Sequence, residues 1–354
     1  DNLEFIEFKN ISDKTLTLSS CGFTSGVTYN FPVSTILAPG QFYVIAKNST
    51  SFASTYGFSP NGAYTGKLSN GGEQLIVLSP TGDTLVNFTY KDSFKWPQLS
   101  NKAGFTMVSV NNTSDQNDPS AWRNSSSRLG SPGKDDPEVS FPKIIINEVL
   151  ANSLAPEADA IELYNPGNHA VDVGGWFLTD DVSSADKFKI PASTIIPAHG
   201  YVTFYECTYN GQAPVYGTSN FGSKFGLSSN GDNVFILSAS NDTLTGYLDG
   251  QEFKASEEGI TFGLVSTTNS KTYFVAMAEN TLGKENSEPK IGPVVIDEVM
   301  YNPSGGCEYI RLTNISQTEV NLYDSLGNGW DIKGLDFEAD SLDGISLAAN
   351  SDLY

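Results

Sequence analysis

One phrase of sequence recurs three times along this chain at a spacing of about 150 residues, and no other feature constrains its fold as tightly. The fullest copy runs Ile144-Ile145-Ile146-Asn147-Glu148-Val149, then Ile161-Glu162-Leu163-Tyr164-Asn165-Pro166, then Gly175-Trp176-Phe177-Leu178-Thr179-Asp180. A later copy reads Val294-Val295-Ile296-Asp297-Glu298-Val299, Tyr309-Ile310-Arg311-Leu312-Thr313-Asn314 and Gly329-Trp330. An earlier one begins at Glu4-Phe5-Ile6-Glu7-Phe8-Lys9-Asn10 and continues through Gly22-Phe23. A period this long is that of whole domains, because solenoid units repeat every ~20–50 residues. Three domains are expected, over residues 1–134, 135–290 and 291–354. The first lacks its opening strand and the third holds only its N-terminal part. The chain therefore reads as a window on a longer tandem array, or as one whose ends are completed by strands of neighbouring chains.

Short runs of alternating apolar and polar residues, broken by Gly, Pro, Asn and Asp, cover nearly the whole chain. Alternation with period two is the mark of a half-buried strand, so Ile161 and Leu163 should face a core while Glu162 and Tyr164 face away. Ile6 with Phe8 and Ile310 with Leu312 keep the same phase. Further strands are expected at 42–46, 74–78, 84–90, 105–110, 202–205, 234–237, 261–265 and 274–277, with no stretch of helical period. Seven or more short strands per copy give an all-β chain of tandem immunoglobulin-like β-sandwich domains, the first and last incomplete. Trp176, Trp330 and Phe23 each follow a glycine and are expected to plug the space between sheets. The two joints, Arg128 to Pro137 and Leu282 to Pro289, are short and contain proline, so the array should be a semi-stiff string.

The phrase Ile146-Asn147-Glu148-Val149, Ile161-Glu162-Leu163-Tyr164-Asn165-Pro166, Gly175-Trp176-Phe177-Leu178-Thr179-Asp180-Asp181 and Phe188-Lys189-Ile190-Pro191 resembles the lamin-tail domain found in secreted bacterial surface proteins. The resemblance covers the second copy throughout, most of the first and the available part of the third. It implies the immunoglobulin-like sandwich and supplies no catalytic residues. Two departures stand out: Cys21-Gly22-Phe23 replaces Gly-Trp in the first copy, and Arg311 replaces the usual glutamate in the third.

With 41 acidic against 20 basic residues the net charge is −21. That charge repels nucleic acid and anionic membrane, whose phosphates need a basic surface. No apolar run approaches the ~20 residues that span a bilayer, so no membrane insertion is expected. Cys21, Cys207 and Cys307 fall at unrelated places in the three copies and form no repeated disulfide framework; they are expected to be small buried residues. Asn-X-Ser/Thr triplets at Asn10, Asn48, Asn87, Asn111, Asn112, Asn124, Asn241 and Asn314 are candidate glycan sites on exposed loops.

Candidate chemistry is sparse. His169 and His199 lie in turn-like contexts, appear in one copy only and are expected at the surface. Glu7, Glu148, Glu162 and Glu298 recur as paired carboxylates, the material of general acid and base catalysis. Arg311 breaks the pattern in the third copy, which favours a structural role: bonding loop amides or a basic neighbour. Asp180, Asp181 and Asp186 form the preferred calcium cluster, since calcium takes six to eight oxygen ligands. Asp115 with Asp118, and Asp336, Glu338, Asp340 and Asp343, are further acidic groups. No catalytic residue and no cofactor other than calcium is expected. The function expected is that of a structural protein of the cell surface or extracellular space: a tandem array building a filament, stalk or surface layer, not an enzyme. Its partners would be further copies of itself, neighbouring domains of the same long chain, or glycans. The alternative is a non-catalytic module binding carbohydrate or another surface, with Tyr201, Tyr205, Tyr209 and Tyr216 as its stacking material.

Overall fold

In the second copy, the alternation read in the repeat places its apolar residues between two antiparallel sheets. This is seen in a computed structural model, which describes residues 2–111, 114–138, 140–155, 157–206, 220–323, 329–330, 332 and 342–354. The chain divides into two compact units. Residues 1–276 and 280–286 make the first, and 277–279 with 287–354 make the second.

The second copy carries the complete sandwich. One sheet runs in the order Tyr201–Tyr205, Ala160–Tyr164, Ile145–Leu150, Thr261–Ser266, Thr272–Ala276. The other runs Phe188–Lys189, Phe177–Thr179, Gly231–Ser240, Thr243–Lys254. Ile146, Val149, Ile161 and Leu163 face Leu178, Val234 and Ile236 across one core, with Trp176 and Phe253 among them. Trp176 is the expected plug, and it is covered by Tyr247 at 5.8 Å between ring centroids. Gly175 before it has φ +87°, a left-handed conformation that disfavours a side chain. At Gly22, before Phe23 in the first copy, it is space that demands glycine: a Cβ would fall 2.3 Å from Asn30 Oδ1.

The first copy repeats these parts around Phe31, Tyr43, Ile45 and Val77, with Phe8 and Phe23 packed on them. Its sheets are Phe5–Lys9, Phe42–Ala46, Gly62–Ala63 and, separately, Gly22–Ser25, Gly72–Leu78, Thr84–Lys91. A hairpin of Met107–Ser109 and Trp122–Asn124 completes it. Two helices correct the expectation of none. Ser49–Tyr56 starts at Asn48, whose side chain accepts from the Ser51 amide, and stops at Gly57 with φ +77°. Its Ser/Thr-rich sequence has weak helical propensity, and tertiary burial of Phe52 against Phe5, Val44 and Ala46 holds it. The second is the single turn Gln98–Lys102.

That turn joins the first two copies. Leu99 and Phe105 of the first copy pack with Phe177, Val182, Phe235, Leu237 and Leu244 of the second in one buried cluster. Phe94 stacks on Phe235 at 5.4 Å. The outer face of the second copy's four-stranded sheet therefore carries a buried apolar patch of its own. Gly246 lies so close to the first copy that a Cβ would meet the Ser125 carbonyl oxygen at 2.4 Å. Direct packing holds this pair, where proline in the joint alone was expected to limit bending.

In the second unit, Val294–Met300 pairs with Tyr309–Asn314 through the same slipped register as Ile145–Leu150 with Ala160–Tyr164. Ile310, Leu312, Leu322, Leu342 and Leu347 form its core. Trp330 departs from the expected plug and is 46% exposed. The described residues of this unit include no counterpart of the strand whose Tyr247 covers Trp176.

Candidate functional site

The recurring carboxylates converge on one place in the second copy, where the Thr281 to Asn286 segment crosses over the five-stranded sheet. Glu148 and Glu162 lie opposite each other on adjacent strands. Both are fully buried. Glu148 accepts from the Thr281 amide at 2.8 Å, from Thr281 Oγ1 at 2.7 Å and from Thr261 Oγ1 at 2.6 Å. Glu162 accepts from the Gly283 amide, from Asn147 Nδ2 at 2.8 Å and from Thr203 Oγ1 at 3.3 Å. Asn147 Nδ2 also donates to Asn286 Oδ1 at 2.6 Å, and Asn286 Nδ2 donates to the Leu264 carbonyl at 2.9 Å. Each carboxylate is thus committed to protein donors and sealed from solvent. The arrangement clasps the end of the domain to its sheet and presents no face to a substrate.

The first copy keeps half of this clasp, with Glu7 accepting from the Gly133 amide at 2.5 Å. Lys9 adds an ion pair to Asp135 at 2.5 Å. In the third copy Arg311 takes the place of Glu162, and Asp297 that of Asn147. The Arg311 guanidinium donates to both oxygens of Asp297, at 2.8 and 3.0 Å, and pairs with Glu298 at 3.0 Å. These bonds hold the Asp297 carboxyl below the usual range. Bonding to loop amides in two copies and to a basic neighbour in the third is the structural role expected for these residues.

Burial pushes Glu7 and Glu162 up to about 7 from an ordinary 4.5, against the opposing Gly133 and Gly283 amide bonds. A carboxyl raised in the folded state keeps its proton after the unfolded chain has lost it. Its contribution to stability is therefore full below about 4.5 and declines as pH climbs to about 7. The urea midpoint of the native protein should fall across that window, and Glu162→Gln should flatten the slope. A slope unchanged by that substitution would contradict the assignment.

A second recurring polar residue escaped the sequence reading. Asn10, Asn165 and Asn314 are each buried at the end of equivalent strands. Asn165 Nδ2 donates to the carbonyls of His169, Ile196 and Pro197, and its Oδ1 accepts from the Gly167 amide. Asn10 bonds Lys14 and Leu37, and Asn314 bonds Thr318, Leu347 and Ala348, in the same way. Two candidate glycan sites are corrected by this: Asn10 and Asn314 bury the very nitrogen a glycan would occupy. Recurrence of asparagine in all three copies, including Asn165 outside any glycan triplet, was the available signal. Asn87, Asn111 and Asn241 are exposed, Asn48 and Asn124 are half-buried, and Asn112 lies outside the described residues.

The preferred calcium residues are used otherwise. Asp180 pairs with Lys187, Asp181 caps the Val182–Ser184 turn through the Ser183 amide at 2.8 Å, and Asp186 is exposed. No group of three or more acidic, histidine or cysteine side chains is placed to hold a metal ion among the described residues. Asp115 and Asp118 cap local turns through the Asn117 and Ser120 amides. Asp343 accepts from the Gly329 amide, while Asp336, Glu338 and Asp340 lie outside the described residues. His169 and His199 are exposed, the latter bonded to Asn168 at 3.0 Å. Tyr201 stacks on Tyr164 at 4.8 Å and Tyr205 is half-buried in the sheet; Tyr209 and Tyr216 lie outside the described residues. Cys21 is buried as expected; Cys307 is exposed, against expectation, and Cys207 lies outside the described residues.

A search of families matches the Lamin Tail Domain over residues 1–92 and 138–251, more than half of the chain. The chain belongs to the lamin-tail-domain family. That family is an immunoglobulin-like, non-catalytic β-sandwich, and the two matched stretches fall in the first and second copies. No curated protein matches the chain, and no solved structure does. Among the described residues, no helix is long and apolar enough to cross a membrane.

Proposed function

We propose that this tandem of lamin-tail sandwiches is a structural element of the cell surface or extracellular space, a stiff segment of a filament, stalk or surface layer. One observation carries the reading: the polar residues that recur from copy to copy, Glu7, Glu148 and Glu162 together with Asn10, Asn165 and Asn314, are spent on holding the fold. Repetition therefore multiplies length, not a reactive site. The apolar joint of Leu99, Phe105, Phe177 and Phe235 supports stiffness, since a joint meant to bend would not bury this much aromatic surface. A net charge of −21 keeps such an array hydrated. Further copies of the same repeat are its partners. Electron microscopy of the native material at the cell surface should find ordered filaments or a lattice. Separate flexible strings, or a wholly intracellular protein, would overturn the proposal.

A further inference from the structure

The joint between the first two copies encloses a cleft of about 410 Å³. Small-molecule sites run from ~300 to 1,000 Å³ and favour the boundaries between domains. Phe94 to Gln98 and the Trp122–Asn124 strand line it from the first copy, and Gly246 to Gly250 of the Thr243–Lys254 strand line it from the second. Phe141, in the connecting segment, adds to the lining. Five of the fifteen lining residues are aromatic, against 12% of the whole chain, so flat apolar faces dominate what the cleft offers. Trp122 is half-exposed on its wall. The indole stacks on Phe88 at 5.3 Å between ring centroids, and its Nε1 donates to the Gln116 carbonyl at 2.9 Å. That ring is therefore fixed in place before any ligand arrives, which lowers the cost of binding.

The cleft also holds a polar atom that the fold does not use. Asn124 lines it, and Asn124 Oδ1 is the one buried side-chain nitrogen or oxygen without a hydrogen-bond partner among the described residues. A sealed acceptor of this kind costs stability and calls for an explanation. Because it holds no bond, rotation about the soft terminal torsion of asparagine can turn it into the cleft. Asp249 lines the second copy's side; its carboxylate accepts from the Ile146 amide at 2.8 Å and keeps further acceptor capacity. Arg123 is neutralised by Asp136 at 2.6 Å, and the chain as a whole carries −21, so an anionic ligand is disfavoured. What fits is an uncharged body with an apolar face and a rim of hydrogen-bond donors. A pyranose sugar has that form: the C–H bonds of its ring face meet the negative π-face of an aromatic ring, and its hydroxyls donate from the rim.

We infer that the cleft at this joint binds a neutral glycan, one pyranose ring seated on Trp122 and its hydroxyls bonded to Asn124 and Asp249. This goes beyond the structural reading above, since it gives the array a ligand. It also lies away from the tyrosines expected to stack sugars, of which Tyr201 is already stacked on Tyr164. The lining comes from both copies, so a bound sugar braces the joint as well.

The test uses the intact protein and the neutral hexasaccharides cellohexaose, chitohexaose, maltohexaose and mannohexaose, with hexagalacturonate as the anionic counterpart. Tryptophan emission reports on the site, because Trp96 and Trp122 line the cleft while Trp176 is buried in the second core and Trp330 belongs to the other unit. At least one neutral sugar should change that emission saturably at millimolar concentration, at one sugar per chain, and hexagalacturonate should not. Asn124→Ala should weaken binding about tenfold, the loss of one hydrogen bond. The same substitution should leave the melting temperature of the free protein unchanged or higher, since it removes a buried acceptor that has no donor. Leu99→Ala, which loosens the packing between the copies, should weaken binding as well. No saturable response to any neutral hexasaccharide, or equal binding of hexagalacturonate, would overturn the inference. Unaltered affinity or a lowered melting temperature in Asn124→Ala would do the same, by assigning that amide to the fold. Ordered filaments in the microscope with no sugar bound would leave the structural function standing and remove only this site.

Discussion

Replacing Leu99 with alanine should uncouple the first two copies while leaving each folded. Leu99 is fully buried, and its neighbours Phe177, Phe235 and Leu237 belong to the other copy. Truncating a buried leucine costs about 2–5 kcal/mol through lost transfer energy and the cavity left behind. Here that loss falls on an interface instead of a domain core. In calorimetry the native protein should unfold the two copies together, and Leu99→Ala should split that transition or broaden it toward lower temperature. Protease cleavage between Gly130 and Pro142 should rise in parallel. A second variant at the joint, Phe105→Ala, should produce the same separation, because Phe105 is buried in the same cluster. A single unsplit transition in both variants would show that the linker, not the cluster, couples the copies.

The second large effect is expected at Glu148. Glu148→Ala leaves the Thr261 hydroxyl and the Thr281 amide and hydroxyl buried without an acceptor. Unsatisfied groups of this kind cost on the order of 1–3 kcal/mol each before relaxation. A net loss of about 3 kcal/mol is expected once the Thr281 to Asn286 segment lifts from the sheet. Hydrogen exchange should accelerate at Thr281 and Gly283 first. The equivalent Glu298→Ala should cost well under 1 kcal/mol, since Glu298 is partly exposed and its pairing with Arg311 is of the surface kind. Equal losses at Glu148 and Glu298 would remove the distinction between a sealed clasp and a surface pair.

These predictions draw on residues the sequence marks unequally well. The phase of Ile161 and Leu163 is set by period-two alternation, which local sequence displays, and the sheet follows it. The glutamates were legible through recurrence, and the exchange of Asn147 and Glu162 for Asp297 and Arg311 explains why one copy could break the pattern without losing its fold. Less legible was anything fixed by distant contacts. Val234-Phe235-Ile236-Leu237 is an unbroken apolar run, the mark of a strand buried on both faces, yet only the three-dimensional arrangement reveals that Leu99 and Phe105 cover the second face. The Thr243–Lys254 strand, interrupted by Gly246 and Gly250, carries little alternation and went unread. Asn10 and Asn314 satisfy a three-residue glycan pattern that takes no account of burial. The local partners of the acidic run at Asp180, Lys187 and the Ser183 amide, are likewise set by the fold and not displayed by the sequence.

The account rests most heavily on the first two copies acting as one stiff body. Spin labels at Lys14→Cys and Ala192→Cys, one in each copy and both at exposed positions, test it directly in a background with Cys207 and Cys307 replaced by serine. Double electron–electron resonance should return one narrow distance distribution that broadens when Leu99→Ala is added. A distribution already broad in the parent protein would contradict the stiff-segment reading and leave the copies as independently moving modules.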